Sequence, residues 1–173
     1  MTGPNATPDD PLALPLDAFL AGPGGDMDAL DIDRRRGKDL DRVLREMRKD
    51  DPDSVSFAPD APRTPSDLAE GYSFVDVPSG LLLLAPDGSV AGAYVSCDLS
   101  VAEAHQGRGL GAELVLEYAV RRGSLPTWHL DTPAYTPAGL GAHRRAWILA
   151  RRDPEHPDLL RRKRARNVAL DQP

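Results

Sequence analysis

The sequence predicts an α/β fold in a single domain, and three observations favour it. Strand-like segments occur between segments whose apolar residues recur at helical spacing. A glycine-rich corner joins one of these strands directly to an amphipathic helix, and a further strand and helix follow. The length of 173 residues suits one domain, and a hydrophobic content of 40% is enough for a modest core.

The composition argues against several classes of function. The formal net charge of −6 argues against a general nucleic-acid binder, which usually carries a basic field. The single cysteine, Cys97, excludes an internal disulfide and fits a reducing compartment. No apolar run approaches the length of a membrane helix, and the N-terminus lacks the features of a signal peptide. We therefore expect a cytoplasmic protein that has no membrane partner.

Residues 1–33 are predicted to form a flexible acidic segment. They contain seven aspartates, no lysine or arginine, and scattered prolines and glycines, a composition that disfavours packed structure. The exception is residues 11–20, where leucine and phenylalanine form a short hydrophobic anchor. That anchor either docks on its own domain or binds a partner.

The elements before the glycine corner are predicted from periodicity and turn residues. In the first firm helix, residues 34–49, four apolar residues share one face: Leu40, Val43, Leu44 and Met47. A short strand, a short helix with proline in its first turn, and three longer strands follow, at residues 54–57, 64–71, 72–77, 80–85 and 89–101. Asp87-Gly88 is expected to join the last two strands as a hairpin turn.

Residues 101–115 carry the most informative pattern in the chain, a glycine-rich corner that ends in a helix. The first turn of a helix offers backbone N–H groups that have no internal partner, at the positive end of the helix dipole. Glycine at positions 107, 109 and 111 removes the side chains that would keep a ligand away from those groups. The corner is therefore predicted to bind an anion such as a phosphate or diphosphate.

The helix after the corner is predicted to be amphipathic. Its apolar residues recur at four-residue spacing and its charged residues are expected to face water: Leu110, Leu114 and Tyr118 on the first face, and Glu113, Glu117 and Arg121 on the second. Gly123 follows two arginines and is expected to end the helix.

Three other interpretations of the corner are weaker. A Walker-type loop needs Gly-Lys-Ser/Thr at its end, and this corner reads Gly111-Ala112-Glu113, so nucleotide hydrolysis is not expected. A dinucleotide fingerprint would need glycine at 112, although some versions of that motif carry alanine. Glycines that serve only a tight strand-to-helix turn are the third alternative.

A fourth motif fits better, because the corner resembles the Gln/Arg-x-x-Gly-x-Gly/Ala signature of the GNAT family of acyl-CoA-dependent N-acetyltransferases. The residues that carry the resemblance are Gln106, Gly107, Arg108, Gly109, Leu110 and Gly111. The resemblance is specific over residues 88–122 and looser to residue 150. Glu103 departs from the pattern, because many relatives carry proline there.

The resemblance implies a three-layer α+β fold with a central mixed sheet flanked by helices. It implies acetyl-CoA as co-substrate, with its pyrophosphate on the backbone amides from Gln106 to Ala112 and its pantetheine arm against Leu99 and Val101. It also implies a thioester site between two splayed parallel strands, here the strands that end near Val101 and Asp131.

Residues 127–131 and 136–150 are predicted as the next strand and helix, with Thr136 as the cap and Pro137 at the first helical position. The resemblance places an acyltransferase domain at residues 34–150.

The resemblance fails from residue 151 onward. Relatives usually add two strands, whereas the basic run at residues 158–167 predicts a helix within a C-terminal extension at residues 151–173. Either the strand pair is lacking, or a second subunit in a homodimer or the N-terminal segment completes that side of the cleft. The basic run is interpreted as a solvated face, with contact to nucleic acid or an acidic partner as the alternative.

Direct transfer of an acetyl group to an amine needs a base, an oxyanion donor and an acid. The backbone N–H groups near Leu99 to Val101 are the candidate oxyanion donors.

Alternation along one continuous strand places four polar side chains on one face: Tyr94, Ser96, Asp98 and Ser100. If that face lines a solvated cleft, Asp98 is the candidate base or attracts a cationic amine. Alternatively, a loop covers the face and Asp98 caps a turn. Cys97, on the opposite face, is interpreted as a small core residue.

The candidate acids come from the following helix. The resemblance implies a tyrosine seven residues into it, and counting from Thr136 places His143 there; an exposed histidine without that role is the alternative. Tyr135 is the other candidate acid, and His129 with Asp131 would assist as base or water relay. The four histidines show no paired ligand spacing, so no metal is expected.

The sequence therefore predicts an acetyl-CoA-dependent N-acetyltransferase whose acceptor is an amine on a small molecule or a protein. Asp98 and the negative net charge favour a cationic acceptor. The alternative is a non-catalytic GNAT-like module that binds acyl-CoA or a protein partner. The missing strand pair and the missing helix tyrosine favour that alternative.

Overall fold

The computed structural model describes residues 38–96, 98–122, 136–151 and 153–170. Over these residues the protein is an α+β domain with four helices and five strands. The helices are α1 (Leu40–Asp50), α2 (Leu110–Arg122), α3 (Pro137–Arg151) and α4 (Leu159–Leu170). The strands are β1 (Arg63–Pro65), β2 (Ser73–Val77), β3 (Gly80–Leu84), β4 (Val90–Val95) and β5 (Asp98–Val101).

The strands form one sheet in the order β1-β2-β3-β4-β5, and every neighbouring pair is antiparallel. The predicted Asp87-Gly88 turn is confirmed between β3 and β4. The Asp87 carboxylate accepts from Ser89 N at 2.9 Å, and Gly88 adopts a φ of 83° that favours glycine. The strand that would make the sheet mixed was predicted at residues 127–131, which lie outside the described residues.

The sheet lies between two layers of helices, as expected for a three-layer α+β domain. One face packs against α1 through a cluster of aliphatic side chains that includes Leu40, Val43, Leu44, Val75, Leu82 and Leu84. The other face packs against α2, α3 and α4 through a second cluster that includes Phe74, Leu81, Leu83, Leu114, Leu149 and Leu159. Three residues of the predicted apolar stripe in the first helix are therefore confirmed as core.

The prediction of one continuous strand at residues 89–101 is wrong. Val95 pairs with Asp98, so β4 and β5 are two antiparallel strands, and Ser96 after β4 lies in a turn at a φ of 52°. Tyr94 pairs with Leu99 and shares its face of the sheet, so Tyr94 and Asp98 lie on opposite faces. The error arose because apolar alternation continues across the turn, which carries no glycine. Cys97 lies outside the described residues.

Two short elements were also predicted wrongly. Residues 54–55 end a turn and residues 56–57 are irregular, so no strand forms at 54–57, and residues 63–65 form β1 where a helix was expected to begin at 64. The Ser66 hydroxyl does accept from Leu68 N at 3.2 Å and Ala69 N at 3.0 Å, as a helix cap would. No helix follows, because Glu113 of α2 accepts from Asp67 N at 2.7 Å and holds the turn open against α2.

Three charged residues of α2 that were predicted to face water are buried. Glu113 and Glu117 are 0% and 2% exposed, and the Arg121 side chain is 5% exposed. Lys163 of α4 lies between the two glutamates, with Nζ 2.9 Å from Glu113 Oε1 and 2.7 Å from Glu117 Oε2, whereas Arg121 pairs with Asp76 of β2. Helix α2 is therefore buried on both its apolar and its charged side.

The predicted C-terminal helix is confirmed as α4, but its basic run is only partly solvated. Lys163 is 1% exposed, and its Nζ also lies 3.0 Å from Asp67 Oδ2. Arg166 forms an ion pair with Asp67, whereas Arg161 is exposed. Burial alone would lower the pKa of Lys163, but the charges of Glu113 and Glu117 outweigh that effect and raise it. Lys163 is therefore a buried ammonium that joins α4 to α2.

None of the described helices combines the length and apolar composition needed to cross a bilayer.

Candidate functional site

A cleft of about 710 Å³ opens where β5, the glycine corner and the first turns of α1 and α3 meet. Eight of the nine residues predicted to bind a cofactor line it: Leu99, Val101, Gln106, Gly107, Gly109, Leu110, Gly111 and Ala112. The ninth, Arg108, extends its guanidinium over the Tyr72 ring, 6.0 Å from the ring centroid. The structure therefore brings the predicted cofactor residues together at one edge of the sheet.

The glycine corner has the backbone geometry that an anion site needs. Gly107 and Gly109 have φ values of 77° and 76°, in the left-handed region that favours glycine. The first bond of α2 runs from Glu113 N to Gly109 O at 3.1 Å. The N–H groups of Leu110 and the next two residues therefore precede the helical ladder, at the positive end of the α2 dipole.

The outer edge of β5 presents backbone groups to the same cleft. Ala102 N donates to Ala91 O at 2.9 Å, which makes this pair a hydrogen-bonded pair of the β4–β5 ladder. Alternation then points the N–H and C=O groups of Leu99 and Val101 away from β4, and β5 is the last strand of the described sheet. Gln106 Nε2 donates to the outward Val101 carbonyl at 2.8 Å, which ties the corner to the strand edge.

The opposite walls of the cleft come from α3 and from the start of α1. Thr136 is the predicted cap of α3, and its hydroxyl accepts from Gly139 N at 3.0 Å. Arg145 of α3 also lines the cleft, and its guanidinium lies 2.6 Å from the buried Asp153 carboxylate. Lys38, which precedes α1, closes the end of the cleft next to β5.

One pair of side chains at the corner was missed by sequence reasoning. His105 lines the cleft, and its Nδ1 lies 2.8 Å from the hydroxyl of Tyr72, a residue that is 6% exposed. The two rings meet edge to face, with centroids 5.7 Å apart. Because the partners are 33 residues apart in the chain, no local pattern could have indicated the contact.

Asp98, the predicted base, lies at the start of β5 on the α1 side of the sheet. Its carboxylate is 3.0 Å from Lys38 Nζ, and Lys38 also contacts Glu46 at 2.7 Å. Hydrogen bonds to Glu46 and Asp98 raise the pKa of Lys38. Asp98 does not belong to the described cleft lining. The cation that its carboxylate contacts is Lys38, which does line the cleft.

His143, the predicted acid, is buried rather than exposed on the surface of α3. The side chain is 2% exposed, with Nδ1 2.7 Å from Gly139 O and Nε2 2.9 Å from the Tyr94 hydroxyl. Because the Gly139 carbonyl can only accept, Nδ1 donates to it and the neutral Nε2 accepts from Tyr94. Burial lowers the pKa of His143 to about 4, although the bond to Gly139 opposes the shift. Tyr135, His129 and Asp131 lie outside the described residues.

The buried His143 predicts a loss of stability in mild acid. Its pKa is about 4 when folded and 6.5 in the reference state, so the unfolded chain binds the proton first as the pH falls. The contribution of the neutral His143 to the free energy of unfolding is complete above pH 6.5 and is lost toward pH 4. We expect the free energy of unfolding to fall by about 2 kcal/mol between pH 7 and pH 5 on account of this group. Urea denaturation at both pH values measures it.

The control for this pH dependence is His143→Gln, whose amide can accept from Tyr94 without titrating. The variant is expected to be less stable at pH 7 and to lose about 2 kcal/mol less than the wild type on going to pH 5. His156→Gln, at a half-exposed position before α4, is expected to keep the wild-type pH dependence. An equal loss in the wild type and His143→Gln would contradict the assignment.

Asp153, Glu155 and His156 place three possible metal-ligand atoms within 4.8 Å of one another. The Asp153 carboxylate, however, already accepts from Glu155 N at 3.0 Å and His156 N at 3.1 Å, and it pairs with Arg145. These contacts explain the cluster as the cap of a turn that joins α3 to α4.

Comparison of the chain with protein-family models, curated protein sequences and solved structures finds no match. The cleft and the signature that its corner resembles are therefore the features that bear on function.

Proposed function

We propose that the protein is an acetyl-CoA-dependent N-acetyltransferase that transfers the acetyl group directly to an amine. The observation that carries the proposal is the continuity of one cleft, which joins the open start of α2 to the edge of β5 that pairs with no other strand of the described sheet. A diphosphate can bind to the free N–H groups at the start of α2, and an extended chain of amides can pair with the edge of β5. Acetyl-CoA combines both in one ligand.

The shape of the cleft supports a ligand of this kind. Its volume of 710 Å³ lies within the range of about 300–1,000 Å³ that is usual for small-molecule and cofactor sites. The diphosphate would lie on the N–H groups of Leu110, Gly111 and Ala112. The pantetheine amides would pair with the outward groups of Leu99 and Val101, in the manner of an added strand. When bound, acetyl-CoA supplies an activated acyl group to the end of the cleft near Lys38.

The residues of the chain have three tasks in such a transfer. The Leu99 N–H points away from β4 and is the candidate donor to the developing oxyanion. Among the described side chains of the cleft, Glu103 can accept a proton from the amine. Tyr135 directly precedes Thr136 in the chain and stays the predicted acid.

A second candidate function is an acyl-CoA-binding module without turnover. Two observations favour it: the Asp98 carboxylate is paired with Lys38, and His143 is a buried neutral imidazole bonded to Tyr94. Neither group lies among the described lining residues, where a base or acid could reach a thioester or an amine. Binding and chemistry must therefore be measured separately.

Calorimetric titration of acetyl-CoA into the protein, followed by thiol release with a panel of amines, tests the two candidates. We expect binding, and release of free CoA with at least one cationic amine. Binding without release from small polyamines, aminoglycosides or lysine-containing peptides would instead support the second candidate. Absence of binding would contradict both. Pantetheine and adenosine 3′,5′-bisphosphate serve as controls, because each carries one half of the ligand.

A further inference from the structure

We propose that His105 is a phosphate-binding residue of the cleft, held by Tyr72 so that its Nε2–H donates to the ligand's diphosphate. The inference rests on the proposed function and assigns a side-chain contact to a site otherwise built from backbone groups. The ligand chemistry is a diphosphate ester, as in the nucleotide half of coenzyme A.

One hydrogen bond fixes the backbone of His105, and another holds its imidazole. Its backbone N–H donates to Ala102 O at 2.8 Å, within the short 3₁₀ turn Glu103–His105 that follows β5. Its Nδ1 lies 2.8 Å from the hydroxyl of Tyr72, which stands directly before β2. The ring is therefore positioned by the sheet, and the position does not depend on a ligand.

The hydrogen bond determines which ring nitrogen carries the proton. Tyr72 is 6% exposed, and in the described part of the chain its hydroxyl has no acceptor other than His105 Nδ1. If Nδ1 donated instead, the phenolic hydrogen would have no acceptor among the described residues, which is unfavourable at a part-buried site. Tyr72 therefore donates to Nδ1, and the neutral imidazole carries its hydrogen on Nε2.

His105 lies beside the proposed anion site. His105 lines the same cleft as Gln106 and Gly107, and a side chain at Gly107 would meet nothing within 4 Å, so the space there is open. Arg108 places a further positive charge over the Tyr72 ring, at 6.0 Å from its centroid. A phosphate oxygen on the first N–H groups of α2 would accept a charge-assisted hydrogen bond from Nε2.

The test uses two variants that keep the aromatic shape. His105→Phe removes the donor, and Tyr72→Phe removes only the hydroxyl that orients it. Inorganic pyrophosphate, CoA and pantetheine are titrated into each protein by calorimetry. We expect His105→Phe to bind pyrophosphate and CoA about tenfold more weakly and pantetheine unchanged, the loss expected for one hydrogen bond to a charged group. Tyr118→Phe and His156→Phe, outside the described cleft lining, are the matched controls.

A spectroscopic measurement separates orientation from general damage. In the wild type, the nitrogen-15 shifts of His105 should show the tautomer protonated on Nε2, and pyrophosphate should shift the Nε2 signal. In Tyr72→Phe the Nδ1-protonated form should gain population, with pyrophosphate affinity reduced about threefold. A wild-type His105 protonated on Nδ1 would overturn the assignment.

The outcomes for His105 and for the proposed function are distinguishable. If the wild type binds CoA and His105→Phe binds it equally well, the His105 assignment is overturned and the proposed function stands. If the wild type binds pyrophosphate through His105 but does not bind CoA, the assignment stands and the acetyltransferase proposal fails. Absence of binding to both ligands overturns both.

Discussion

Replacing Gly109 with glutamate is expected to weaken acetyl-CoA binding at least about 100-fold, because a carboxylate would enter the proposed diphosphate site and repel the ligand. Gly109 lines the cleft immediately before α2, and its carbonyl accepts the first bond of that helix. A carboxylate at this position would also attract the unpaired N–H groups and occupy them. Calorimetric titration of acetyl-CoA measures the loss.

Controls for Gly109→Glu must separate charge from backbone strain. Gly109 has a φ of 76°, and an added Cβ would lie 3.3 Å from Leu68 Cδ1, so any side chain there is strained. Gly109→Gln carries the same strain without the charge and is expected to bind acetyl-CoA more tightly than Gly109→Glu. Gly88→Glu, at a φ of 83° with open space around it, adds the same charge away from the described cleft lining and should bind as the wild type does. If Gly109→Glu bound with wild-type affinity, the diphosphate assignment would be withdrawn.

The glycine corner could be predicted from sequence because its signals are local. Two positive-φ positions within three residues require Gly107 and Gly109, and the helix that follows begins with the apolar spacing of an amphipathic helix. The predicted lining of the cleft followed from the family resemblance that this short run carries. Thr136 and Pro137, as a cap and a first helical residue, were equally local and correctly placed α3.

Features that depend on distant partners could not be predicted in this way. Glu113 and Glu117 have the spacing of a solvated face, and their burial depends on partners that include Lys163, which lies 50 and 46 residues further along the chain. The burial of His143, the candidate acid, could not be predicted because the hydroxyl that it bonds belongs to Tyr94, 49 residues earlier. In both cases a polar group is buried because a partner compensates for its desolvation, and helical periodicity carries no information about that partner.

Lys163→Met is expected to destabilise the protein by about 3–5 kcal/mol, the range for removing one partner of a buried ion pair. Methionine retains most of the apolar stem, so the main loss is the ammonium that lies 2.9 Å from Glu113 and 2.7 Å from Glu117. Both carboxylates are buried and would be left without that cation. Urea denaturation at pH 7 measures the change, and Arg161→Met, at an exposed position of α4, is expected to stay within about 0.5 kcal/mol of the wild type.

The dependence on pH shows whether the Lys163→Met deficit comes from charge or from packing. Buried carboxylates without a cation have raised pKa values, so the folded variant takes up protons more readily than its unfolded chain. Its stability relative to the wild type should therefore recover as the pH falls from 7 to 5. Lys163→Met combined with Glu113→Gln and Glu117→Gln should recover part of the deficit at pH 7, because no unpaired charge is then buried. The loss of stability in Lys163→Met could instead be the same at both pH values and unchanged by the two glutamines. That result would mean that apolar contacts hold α4 against α2, the helix behind the anion site, and that the buried ammonium contributes little.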